Sequence, residues 1–161
     1  MATTFVATRA AATFPVFKGE GSGALCVAYG TYEIAANPTA GDIYQMCRVP
    51  AGAVVVGGWI YADDLDTNAT ETLDMDIGWA ANGVEAADPD GFGNLAVWVG
   101  DAFANPNIAA VAGNMIPLQG VLLATGPQAF SRETIIEIVC NVTAATGGTG
   151  TLSVVVLYAV P

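Results

Sequence analysis

The chain contains no histidine, and only four of its 161 residues are Lys or Arg, against fifteen Asp or Glu. Without imidazole, the commonest general base and the commonest metal ligand are both missing. The four cations, Arg9, Lys18, Arg48 and Arg132, are scattered, and no two share a four-residue window. A net charge of −11 and a pI near 4.1 repel phosphate backbones and anionic bilayers, which attract clustered Lys and Arg. Nucleic acid and membrane are therefore not expected as partners.

Long apolar runs are also missing. The longest uncharged stretch, Ala102 to Ser131, is broken by Asn105, Pro106, Asn107, Gly113, Asn114, Pro117 and Gly120, so nothing reaches the ~20 residues of a transmembrane helix. The N-terminus has no basic segment followed by a continuous apolar one, which excludes a secretory signal and predicts a cytosolic site of synthesis. Cysteine is sparse: Cys26, Cys47 and Cys140 are odd in number, widely spaced and free of any C-x-x-C pattern. They read as reduced, buried small hydrophobes and not as a disulfide frame or a zinc site.

What the chain does have is apolar, small-residue text: 53% hydrophobic, 12% charged, with a mean hydropathy of +0.52. Such a composition excludes general disorder, and the length fits one domain with its own core. Residues 1–23 show no period, space out Phe5, Phe14 and Phe17, and end in Gly19-Glu-Gly-Ser-Gly23. This predicts an extended N-terminal arm on a flexible joint, with residues 24–161 forming a single domain.

Within that domain, strands are predicted from Ala24 to Ile34, from Asp42 to Val49 and from Ala53 to Tyr61, the last with a bulge or close approach at Gly57-Gly58. Residues 70–79 alternate, with Leu73, Met75 and Ile77 facing inward and Thr72, Asp74 and Asp76 facing water. A loop is expected from Asn82 to Asn94. Apolar spacing between Leu95 and Val111 satisfies both helical and strand periods, so no element is assigned there. Thr134 to Thr143 and Thr151 to Val160 are two further strands, either a hairpin or neighbours across a sandwich. Short strand runs between turn signals, with no long amphipathic helix, predict an all-β antiparallel sandwich of about eight strands.

Candidate chemistry is thin. Asp64-x-Asp66-x-Asn68 has calcium-loop spacing, yet Ala69 stands where a turn needs Gly and Met75 where a bidentate Glu belongs. Asp88-x-Asp90-Gly91 has the better turn but lacks matching ends. Asp74 and Asp76 share a strand face roughly 7 Å apart, a spacing open to a carboxylate pair, but neither has a basic neighbour in sequence. No G-x-S-x-G occurs, and Gly19-x-Gly21-x-Gly23 lacks the following Lys and Ser/Thr of a phosphate loop. No catalytic residue, metal or cofactor is therefore expected, and the chain reads as a non-enzyme. Its three Trp, five Tyr and six Phe beside so few charges instead suggest surfaces that associate.

Four strings carry a resemblance: Gly41-Asp-Ile-Tyr-Gln-Met-Cys-Arg-Val-Pro-Ala-Gly-Ala53, Asp63-Asp-Leu-Asp-Thr67, Thr72-Leu-Asp-Met-Asp-Ile-Gly78 and Asp88-Pro-Asp-Gly-Phe92. Together with the closing Thr151-Leu-Ser-Val-Val-Val-Leu-Tyr158, they are similar to small virion proteins of tailed bacteriophages, over residues 28–95 and the last strand. The resemblance implies a head decoration (cement) protein with a jelly-roll-like β-sandwich. It further implies a homotrimer bound to the major capsid protein on the capsid exterior and assembled in the host bacterial cytoplasm. The arm residues Phe5, Arg9, Phe14, Phe17 and Lys18 would then touch the capsid or a neighbouring subunit. A second reading is a calcium-stabilised receptor- or glycan-binding virion module that uses Trp79, Trp98 and the Asp63–Asp76 loops.

Overall fold

β-Branched and aromatic residues in short runs bounded by Pro and Gly favour pleated strands over helix, and the computed structural model follows that text. It describes residues 2–16, 24–63, 65–68, 70, 72–97 and 114–161. In chain order the elements are β1 (Thr4–Val6), β2 (Leu25–Ile34), β3 (Ile43–Val49), β4 (Val54–Ala62), β5 (Asp74–Trp79), β6 (Asp88–Val97), β7 (Asn114–Pro117), α1 (Val121–Ala124), β8 (Gln128–Ala129), β9 (Thr134–Val142) and β10 (Gly150–Ala159). Among the described residues, β2, β3, β4, β5, β6, β7, β9 and β10 are the strands of four residues or more, which matches the expected number.

The strands form two sheets: the first in the order β1-β3-β9-β5-β6, the second β2-β10-β4-β7, with β8 also on β4. Among the described residues every pairing is antiparallel except β1 with β3. The chain crosses between sheets at most connections, so β9 and β10 lie in opposite sheets and are not a hairpin. The two inner faces close on one core. Tyr44, Met46, Met75, Ile77, Ile136, Ile138 and Cys140 come from the first sheet, and Val55, Ile60, Leu152, Val154, Val156 and Tyr158 from the second, all buried. The three cysteines are buried and free.

The expected irregularity in β4 is present. Opposite β10, the register slips between Leu157, facing Gly57, and Tyr158, facing Val55, leaving Val56 as the extra residue. At Gly58 (φ 151°) a Cβ would lie 2.2 Å from the Val155 carbonyl oxygen, so the close approach requires glycine there.

Two expectations need correction. The Asn82 to Asn94 region is not all loop, because β6 begins at Asp88 and pairs with β5 through an irregular register. Its turn-rich text, Asp88-Pro-Asp-Gly-Phe92, hides the strand. Asp76, expected in water, is 7% exposed. The alternation sets the correct face, but β5 lies between β9 and β6. Its outer side is also closed at Gly78, where a Cβ would meet the Asp88 carbonyl oxygen at 1.8 Å. Of the unassigned region, residues 98–113 lie outside the described residues.

Candidate functional site

Residues 2–16, the described part of the expected extended arm, lie along the domain's own first sheet. Each N–H and C=O of an extended segment needs a partner, and β3 supplies them. The Ile43 N–H donates to the Thr3 carbonyl (2.9 Å), the Ala7 N–H donates to the Gln45 carbonyl (2.8 Å), and the Thr3 N–H donates to Asp42 Oδ1 (3.1 Å). Phe5 stacks on Tyr44 with centroids 5.0 Å apart and tilts against Tyr32 at 5.6 Å, joining the arm to both sheets. Ala7, just after β1, and Ala10, in the turn that follows, are both buried.

Farther along, the Arg9 guanidinium sits 3.6 Å from the Tyr29 ring centroid and 4.8 Å from that of Phe14, and it donates to the Tyr29 hydroxyl. Arg48, next to the last residue of β3, donates to the Phe14 and Ala12 carbonyls and forms an ion pair with Glu133. The structure therefore brings Arg9 and Phe14 together at Tyr29 and places Phe5 at the β3 edge. Phe17 and Lys18 lie outside the described residues. Sequence reasoning missed Arg48, although a cation inside the apolar run Ile43-Tyr-Gln-Met-Cys-Arg-Val49 was a readable signal.

The acidic turns are occupied by their own backbone. Asp66 Oδ2 accepts the N–H groups of Thr72 (2.8 Å), Leu73 (3.1 Å) and Ala145 (2.9 Å), while Oδ1 accepts those of Thr146 (3.0 Å) and Asn68 (3.3 Å). Burial opposes ionisation of this carboxyl, but the Thr146, Thr72, Ala145 and Leu73 amides outweigh it and hold the pKa at about 2. A carboxylate ringed by N–H dipoles is set up to staple loops, not to bind a cation. Asp42 caps Thr39 through its N–H (3.0 Å) and hydroxyl (2.8 Å), and Asp63 accepts the Thr151 N–H (2.7 Å).

Glu85 accepts both the N–H (3.0 Å) and the hydroxyl (2.6 Å) of Ser131. Those two bonds, with Asn82 beside them, lower its pKa to about 2. On the outer side of β9, burial raises the pKa of Glu137, and a hydrogen bond with Gln45 only partly offsets it. Burial also raises Asp88, and the neighbouring Asp90 adds to the shift.

The carboxylate pair does not form a site open to substrate. Asp76 accepts the Asn141 amide at 2.6 Å, and Asp74 has an oxygen buried without a hydrogen-bond partner among the described residues. Nor does Trp79 offer a platform for a sugar. It is 5% exposed, donates its indole N–H to the Ala86 carbonyl (3.0 Å), and packs edge-on against Phe92 and Phe130. Trp98 and Asp64, also part of that predicted face, lie outside the described residues. Among the described residues no group of three or more Cys, Asp or Glu gathers as a metal site.

The fold is shared with chains of phage capsids. A chain of the cyanophage Pam1 capsid asymmetric unit superposes with a TM-score of 0.66 at 25% identity, covering 93% of this chain and 95% of that one. A chain of the capsid of Ralstonia phage GP4 superposes with a TM-score of 0.72 at 22% identity, covering 98% of each. A chain of the acid-stable capsid of Helicobacter pylori bacteriophage KHP30 gives 0.51 at 13% identity, covering 88% and 91%. No protein-family model and no curated protein sequence matches the chain. The likeness to the Pam1 and GP4 chains spans nearly the whole length, so it concerns the complete sandwich and not a shared pair of strands.

Proposed function

We propose that the chain is a structural protein of a bacteriophage virion and, more narrowly, a decoration (cement) protein on the exterior of the head. The carrying observation is the near-complete fold likeness to a Pam1 capsid chain, at 25% identity over 93% of this chain. The chemistry of the chain points the same way. Its carboxylates Asp42, Asp63, Asp66 and Glu85 cap its own loops, and with no histidine in the chain the Ser131–Glu85 contact has no imidazole to relay a proton. Function in this reading is adhesion: copies assembled as a homotrimer cover junctions of the major capsid protein. The arm bearing Phe5, Arg9, Phe14, Phe17 and Lys18 adds contacts at its border. An acidic exterior suits a particle surface facing away from packaged DNA and limits clumping.

The calcium- and glycan-binding reading loses two of its anchors, because Asp66 is saturated by amides and Trp79 is buried. The test is reconstitution. Purified protein added to heads that lack it should bind at saturable exterior positions visible by electron cryomicroscopy, and should raise the temperature at which the heads release DNA. Heads that neither bind the protein nor gain heat resistance would remove the decoration reading.

A further inference from the structure

The outer face of the second sheet is apolar across three adjacent strands. On β2, Leu25, Val27 and Tyr29 point outward and are 64%, 45% and 44% exposed. Their partners on β10 are Ala159, Leu157 and Val155, and beyond these on β4 stand Gly57, Trp59 and the bulged Val56, itself 46% exposed. None of these residues is charged, and the cation Arg9 lies at the border of the face, its guanidinium over the Tyr29 ring. The first carboxylates along the strands, Glu33 and Asp63, stand together at the far end, on either side of the Thr151 end of β10. β2 is also the terminal strand of its sheet. It runs ten residues in continuous register with β10, and its other side meets β3 of the first sheet at Gly30, so the flat outer face is what stays open.

A contiguous apolar face of this kind is a contact surface. The charge distribution indicates its occupant. Each copy carries −11, so two copies repel wherever carboxylates face each other, and this carboxylate-free face lets them meet without that cost. A basic partner would instead be drawn to the acidic turns. We propose that the outer face of the second sheet, centred on Leu25, Val27, Tyr29, Leu157 and Trp59, is the surface through which copies of this chain associate. The proposal deepens the self-assembly part of the reading above by naming its surface.

Sedimentation velocity of the full chain, at low and high salt, tests it. The wild type should be oligomeric, and more so at high salt, where repulsion between the acidic copies is screened. Val27→Glu and Leu25→Glu lie at exposed positions, so each should keep the melting profile. Each desolvated carboxylate without a partner should weaken association by about tenfold or more. Val27→Thr, which suits a strand and adds no charge, should weaken it less. A wild type that stays monomeric at high salt would overturn both the self-assembly reading and this surface. An oligomer indifferent to both Glu variants would overturn the surface alone. Loss of head binding with oligomer size unchanged would assign the face to the capsid protein and overturn the proposal too.

Discussion

Asp66 ties the segment before β5 to the connection between β9 and β10, through five backbone N–H groups that no other side chain satisfies in these contacts. Its folded pKa of about 2 lies below the ordinary 3.8, so its contribution is present above pH 4 and is lost as pH falls toward 2. Asp66→Asn, which places a donor where the ring of amides needs an acceptor, should cost about 2 kcal/mol at pH 7. The difference from wild type should shrink to nothing in acid melts near pH 2, and an equal loss at both pH values would contradict the staple. Glu137 has the opposite sign. Burial raises its folded pKa above the ordinary 4.5, so stability is greatest while it is protonated and falls as pH rises through the folded value. Glu137→Gln should therefore melt higher than wild type at pH 8, with the gain vanishing at pH 4. Sequence spacing made Asp66 a candidate cation ligand because Asp serves calcium loops and turn caps alike. Only the positions of the amides, two of them contributed by Ala145 and Thr146 from the far connection between β9 and β10, separate the two roles.

At the scale of elements, the hydrophobic period located β2, β3, β4, β9 and β10 to within one or two residues, because each carries a run of β-branched and aromatic side chains. β6 was illegible because its first half is turn text, held in a strand by pairing with β5. The docking of β1 was also invisible: three residues of pairing leave no periodic trace, and the Phe5 contact with Tyr32 and Tyr44 depends on strands far along the chain. Where the sheets come closest at one side, Gly30 of β2 lies against the backbone of β3, and a Cβ would be 1.8 Å from the Met46 carbonyl oxygen. Backbone cannot rotate aside as a side chain can. Gly30→Ala should therefore cost about 3 kcal/mol by denaturant unfolding. Gly57→Ala is its control, since nothing lies within 4 Å of the new methyl, and it should change stability by less than about 0.5 kcal/mol. Equal effects of the two substitutions would show that the sheets do not approach at Gly30.

For the whole molecule, the docked arm changes how any experiment on particles must be read. Residues 2–16 contribute the half-buried Phe5, the buried Ala7 and Ala10, and the carbonyls that Arg48 needs. Deleting them bares Tyr44 and the β3 edge and leaves Arg48 with Glu133 alone. The isolated protein should lose about 3 kcal/mol, a fall of roughly 6–12 °C in Tm for a chain of this size, measured with no particle present. Lost decoration after such a deletion would thus reflect a weakened sandwich as readily as a missing contact. Val6 separates the two causes, because it sits in β1 yet is 47% exposed. Val6→Glu should leave Tm within about 2 °C of wild type, since a solvent-facing change away from buried features shifts stability little. If the arm's outer side touches the shell or a neighbouring copy, the same substitution should lower occupancy on heads about tenfold, through a desolvated charge. Full occupancy with Val6→Glu, alongside a destabilised deletion, would confine the arm to holding its own sheet together.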